Sequence, residues 1–156
     1  MKKVIILLSS VILIFSIFLM GCSGVDIAFT SYSLKPIEDF NSNNLGIDFG
    51  NIVSSREELI GFYNKAIFVS VDKQSELDKY DDSYFENKSL LIVIFASDKN
   101  SNKSIKSVSR KDDNLWITLE TTSMKELNEI SRFFIEVNKE DVSNIKDINY
   151  KQITII

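Results

Sequence analysis

The chain opens on an unbroken apolar run, and behind it the hydrophobic pattern changes period several times. Residues 4–20 carry no charge, and Ser9, Ser10 and Ser16 are their only polar side chains. Residues 27–33 are rich in β-branched and aromatic types and predict a strand. Residues 35–44 hold the sole proline, Pro36, and the cluster Asn41-Ser42-Asn43-Asn44, so a loop is expected there. Leu45, Ile47 and Phe49 alternate with Gly46 and Asp48, predicting a second strand with Gly50 as a candidate bulge. Ser55-Arg56-Glu57-Glu58 has the form of a capping box, in which Ser55 caps and Glu58 reaches back to its amide. The helix it opens should bury Leu59, Phe62, Tyr63 and Ala66. Residues 67–71 suit a strand slightly better than a helix. Leu77, Tyr80, Tyr84 and Phe85 recur at mixed helical spacing, predicting one or two short helical turns over residues 75–88.

Leu90-Leu91-Ile92-Val93-Ile94-Phe95-Ala96 is apolar at every position and bounded by polar residues. Alternation is lost when both faces of a strand are buried, so this run is expected at a sheet's centre. Two more strands follow at residues 104–110 and 115–122, with Lys111-Asp112-Asp113-Asn114 as a hairpin turn. Residues 124–130 read as a short helix or a loop. Phe133, Ile135 and Val137 alternate along a further strand, Val142 and Ile145 share one side of a short helix, and residues 150–156 close as a last strand. Together these elements predict an α+β domain: a mixed, mostly antiparallel sheet with a few short helices packed on it.

The first apolar run differs from the rest in what brackets it. Met1-Lys2-Lys3 precedes it, and Gly21 follows it directly before Cys22, the only cysteine. That is the layout of a secretory signal. Leu19-Met20-Gly21-Cys22 resembles the lipobox of bacterial lipoproteins, although the family more often has Ala, Ser or Thr where Met20 stands. The resemblance implies cleavage between Gly21 and Cys22 and a diacylglyceryl group on the Cys22 thiol. It divides the chain into a signal peptide (1–21, helical in the leader), a short lipidated tether (22–26) and a single domain (27–156). One acyl chain binds membranes only marginally, whereas two give stable anchoring. Lys2 and Lys3 favour an inside leader and an outward-facing domain. An uncleaved anchor is the alternative, since residues 4–20 as a helix reach about 26 Å, just short of a bilayer core. A plain secretory signal is the other.

Removing the leader leaves 16 basic against 22 acidic residues, a net charge of −6. Such a domain is not drawn to nucleic acid or to anionic lipid by charge alone. With Cys22 acylated, no thiol remains for a disulfide, so the fold rests on its core. The chain has no histidine, which excludes Ser-His-Asp and Cys-His catalysis and removes the commonest zinc ligand.

The succession of Asn51-Ile52-Val53-Ser54-Ser55-Arg56-Glu57-Glu58-Leu59, the stretch Tyr80-Asp81-Asp82-Ser83-Tyr84-Phe85-Glu86-Asn87-Lys88-Ser89 running into Leu90, the 107–119 hairpin and the Phe134-Ile135-Glu136-Val137 strand resembles a known family. It is similar, over roughly residues 26–150, to the C-terminal domain of the PrcB-type protease-complex subunit and to related Gram-positive lipoproteins. The resemblance implies a non-enzymatic, membrane-anchored domain with a protease among its candidate partners, and it brings no catalytic residues. The chain departs from the family at Ser101-Asn102-Lys103-Ser104, where members often carry a Gly-rich stretch.

Few residue sets carry chemistry of their own. Asp98-Lys99-Asn100-Ser101-Asn102 has the opening spacing of a calcium loop. It holds Lys103 and Ser109 where an EF-hand needs glycine and a bidentate glutamate, so a polar hairpin loop is expected. The pairs Glu57/Glu58, Asp81/Asp82 and Asp112/Asp113 are sequence neighbours, which point apart on regular elements, and caps or turns explain them better than a two-carboxylate cleft. Ser101 with Lys103 and Ser104 with Lys106 are the nearest approaches to a Ser/Lys nucleophile. Phe62, Tyr63, Tyr84, Phe85, Phe133 and Phe134 should pack the core. Trp116 faces opposite to Leu115, Ile117 and Leu119. No catalytic, cofactor or metal residues are assigned, and the only site residues are Gly21 and Cys22. The expected function is non-enzymatic binding or stabilisation of another protein at the cell membrane, with the lipid bilayer a second partner through acylated Cys22. The alternative is a small-ligand-binding lipoprotein with a pocket beneath Trp116.

Overall fold

The computed structural model describes residues 24–38, 48–65, 73–123 and 129–155. The leader with Gly21 and Cys22, Ala66 and the expected strand at 67–71 lie outside them. Among the described residues there are eight strands: β1 (Val25–Asp26), β2 (Phe29–Glu38), β3 (Asp48–Val53), β4 (Lys88–Ser97), β5 (Lys103–Lys111), β6 (Asn114–Thr121), β7 (Glu129–Asn138) and β8 (Asp147–Thr154). Three helices, α1 (Arg56–Lys65), α2 (Lys73–Lys79) and α3 (Tyr84–Asn87), lie between β3 and β4.

The strands form two four-stranded sheets, in the orders β2-β7-β4-β3 and β1-β5-β6-β8. All pairings are antiparallel except β6 with β8. As expected, the apolar run is a central strand: β4 lies between β7 and β3, and residues Leu90 to Phe95 are at most 4% exposed. Leu91, Val93 and Phe95, with Phe133, Ile135 and Val137 of β7, meet Ile105, Val108, Leu115, Ile117 and Leu119 of the second sheet. Leu90, Ile92, Ile94 and Phe134 meet Leu59, Tyr63, Leu77, Tyr80 and Phe85 from the helical segment. Each such side chain contributes about 1.5–3 kcal/mol when fully buried. The layers are therefore helices, an inner sheet and an outer sheet.

The α+β content agrees with the sequence, but two sheets face each other where one was expected. The β5–β6 hairpin buries only one face, and alternation looks the same whether a hairpin extends a sheet or covers one. Its turn is shorter than expected, with Asp112 at φ 56°, the left-handed conformation that two-residue hairpin turns demand and Asp tolerates.

Several boundaries move. Val25 and Asp26, placed in the tether by the sequence, pair with Arg110 and Ser109. β2 runs on through Pro36 to Glu38, with its pairing to β7 shifting between Leu34 and Ile37. Proline is tolerated there because β2 is an edge strand and the irregularity absorbs the missing donor. β3 keeps regular register across Gly50, so there is no bulge. Glycine is needed for another reason: a Cβ there would stand 1.4 Å from the Tyr150 hydroxyl of β8. Glu129 and Ile130 belong to β7. The short helix near Val142 is a single 3-10 turn, Glu140–Val142. After that turn the chain returns to the outer sheet, where β8 lies parallel to β6.

Candidate functional site

The paired carboxylates serve local structure, as expected. Ser55 Oγ accepts from the Glu58 amide at 3.1 Å, and the Glu58 carboxylate accepts from the Ser54 amide at 2.7 Å, one residue earlier than the predicted box. Asp81 accepts from the Ser83 hydroxyl and the Tyr84 amide at the start of α3, and these bonds hold its carboxyl below the ordinary range. Asp113 meets Lys146 at 2.5 Å, which lowers the carboxyl and raises the ammonium. In the loop that mimics a calcium site, Asp98 accepts from the Asn100 amide and the Ser123 hydroxyl, each at 2.8 Å, so its carboxylate closes the turn. Among the described residues no group of three His, Cys, Asp or Glu side chains is placed to hold a metal, and no helix is long and apolar enough to cross a membrane.

The lysines of the Ser/Lys neighbours take carboxylate partners instead, and a different set comes together. Lys106 binds Glu120 at 3.0 Å on the surface. Lys103 turns inward to Glu129, with the two side chains 10% and 5% exposed. Ser131 donates to that carboxylate at 3.1 Å, Ser97 lies 3.3 Å from it, and the two hydroxyls are 2.8 Å apart. This polar plug continues the sandwich core at one end. Its members lie on three strands, so no local motif announces it. On the helical side, Tyr80 donates to Glu136 at 3.1 Å while Lys79 bridges both groups at 3.0 Å and sits 3.6 Å from the Tyr32 ring centre. Burial, reinforced by the Glu136 charge, pushes the Tyr80 phenol well above its usual range, and Tyr84 rises chiefly through burial. Beneath α2, burial raises the Glu76 carboxyl and lowers the Arg132 guanidinium, each opposed by the other's charge. Phe62 and Tyr84 are partly buried, and Tyr63, Phe85, Phe133 and Phe134 fully so, in the core as expected.

The surface with binding geometry is the open side of the sandwich. β3 ends the inner sheet and β8 ends the outer one, and among the described residues neither has a second strand neighbour. Between them lies a cleft of about 440 Å³ lined by Gly50, Asn51, Ile52, Ile148 and Tyr150, with Ile145, Lys146 and Asp147 at one end. Tyr150 seats its hydroxyl over Gly50 and sets the depth of the cleft. A second cleft of about 450 Å³ lies at Glu86, Asn87, Asn138, Lys139 and Glu140. There the Lys139 ammonium donates to the carbonyls of Ser54 and Phe85 at 3.0 and 2.9 Å. A third, of about 110 Å³, lies beside Lys103 and Ile155. Trp116 lines none of these three; it is 42% exposed on the outer face of the outer sheet. Comparison of the chain with protein-family models, with curated proteins and with solved structures finds no match.

Proposed function

We propose that the chain is a lipid-anchored, outward-facing membrane protein whose domain binds another protein, by accepting an extended segment of it at the β3/β8 side. The observation that carries the reading is that cleft, each lip of which is a strand edge with no second strand neighbour among the described residues. An exposed edge presents backbone donors and acceptors to an incoming strand, which takes affinity from main-chain hydrogen bonds and specificity from alternate side-chain sites. Gly50 and the Tyr150 ring shape one such site. The leader ending in Gly21 and Cys22 supports the anchor, and the resemblance to PrcB-type subunits makes a protease the first partner to seek. Trp116, projecting to solvent, lends no support to a small ligand held beneath it.

The test is photo-crosslinking on intact cells, with a photoreactive side chain at Asn51 and a control at Asp82, followed by mass spectrometry. A discrete adduct with another protein from Asn51 and not from Asp82 is expected. Monomer alone from both positions, or the same adducts from both, overturns the binding reading. Palmitate labelling that is lost in Cys22→Ala checks the anchor; label that persists overturns it.

A further inference from the structure

The place of Gly24 in the fold, two positions from Cys22, bears on which face of the domain would meet a membrane. This inference rests on the lipid anchor at Cys22 proposed above. Only Ser23 separates Cys22 from Gly24, so the anchor sulfur's residue lies within about 7 Å of Gly24 along the chain. Gly24 is itself held against the outer sheet, its Cβ position 3.0 Å from the Arg110 carbonyl and 3.6 Å from the Lys111 side chain. Register then ranks the rest of that face. Asp26, Ser109, Trp116 and Asn149 form one row across β1, β5, β6 and β8. From Gly24 to Trp116 is two strand spacings across and two residues along, about 12 Å.

We propose that the tethered end of the outer sheet's outer face lies on the bilayer surface, with the Trp116 indole among the lipid headgroups. Three observations converge on this. Trp116 is 42% exposed on a face where Ile153 of β8 is its only large apolar companion and the other strand positions are short polar or charged, and an indole with one polar edge is suited to a membrane interface. The face carries Lys106, Lys111 and Lys151 against Asp26, Glu120 and Asp147, so it is balanced although the mature chain is at −6. The helical layer, where the acidic Glu57, Asp78, Asp82 and Glu86 are exposed, lies on the opposite side of the molecule. An anionic bilayer therefore repels the outer face less than it repels the helical layer. The tether supplies a high local concentration, so a single weakly inserting side chain is enough to set orientation.

Trp116 is the only tryptophan, so its own fluorescence reports the result. The lipidated protein, beginning at Cys22, is reconstituted in vesicles of equimolar phosphatidylglycerol and phosphatidylcholine, and flotation is scored beside emission and quenching. Emission shifted to the blue relative to the Cys22→Ala protein in buffer, with weaker acrylamide quenching and new quenching by headgroup-proximal spin-labelled lipid, is expected. The Trp116→Phe protein carrying Tyr32→Trp, on the helical side, should float without that shift. Protein that floats with Trp116 unshifted overturns this inference alone and leaves the outer face to a protein partner. Equal shifts at both positions overturn it as well. Protein that does not float overturns the anchor and this inference together.

Discussion

Replacing Lys103 with methionine tests whether the polar plug at the end of the sandwich is a buried ion pair in the energetic sense. The change keeps most of the side-chain length and removes the charge. It leaves the Glu129 carboxylate 5% exposed, with the Ser131 hydroxyl at 3.1 Å and Ser97 at 3.3 Å as its remaining donors. Breaking a buried pair from one side costs about 3–5 kcal/mol, because the surviving charge is not resolvated. Two hydroxyls recover part of that, so the lower end, about 3 kcal/mol, is expected. A domain of this size holds only about 5–15 kcal/mol in total, so the melting temperature should fall by on the order of 10 °C. The double replacement, Lys103→Met with Glu129→Leu, removes both charges. It should recover most of the loss, leaving Ser97 and Ser131 to bond to each other across their 2.8 Å separation. Urea unfolding of the four proteins, followed by far-UV circular dichroism with the slopes compared, closes the cycle. If Lys103→Met costs under about 1 kcal/mol, as an exposed pair does, or if the double variant is worse than the sum of the singles, the burial argument is refuted.

Other expectations follow from single contacts. Gly50→Ala drives a methyl into the Tyr150 hydroxyl 1.4 Å away and should destabilise by about 1–3 kcal/mol; urea unfolding reads it, and Tyr150→Leu in the same chain should relieve it. Ser55→Ala removes the acceptor of the 3.1 Å bond from the Glu58 amide and should cost about 1 kcal/mol, seen as a lower denaturation midpoint at unchanged slope. The Tyr80 and Tyr84 phenols are raised above their ordinary value of 10.0. Their contribution to stability is therefore complete below that value and is lost as pH rises, because the unfolded chain ionises first. Ultraviolet titration should show two tyrosines resisting ionisation in the native protein, and stability should decline with alkali. Asp113 is depressed by Lys146, so its contribution holds above the ordinary carboxylate range and is lost as pH falls through the lowered value. Proton-detected titration of its side chain should place it below 3.8, and Lys146→Ala should raise it towards that value.

Pattern alone located the elements whose causes are local. The run from Leu90 is central because seven apolar residues in succession leave neither face for water. Ser55 opens a helix because its hydroxyl satisfies an amide three residues on, and Asp81 does the same for a single turn. Where an element's fate depended on a partner far away in the chain, the pattern misled. Pro36 looked like a breaker, yet an edge strand with one irregular pairing accommodates it. Gly50 looked like a bulge, but its missing side chain makes room for Tyr150 a hundred residues later. Lys103 looked like a loop cation, and only the approach of β4 and β7 gives it Glu129, Ser97 and Ser131.

The candidate site divides along the same line. The proposed anchor rests on consecutive residues, the run of 4–20 followed by Gly21 and Cys22, and needs no fold to be read. The cleft proposed to bind did not exist in the sequence: β3 and β8 are remote in the chain, and their edges become lips of one cleft only because the sheets stack and β8 returns parallel to β6. Chain-local hydrogen bonding and side-chain period fix what each segment becomes. Which described edges lack a neighbour, and whether the face that alternation gives to Trp116 is covered or left to solvent, is decided by how the sheets pack, because burial is a property of neighbours rather than of residues.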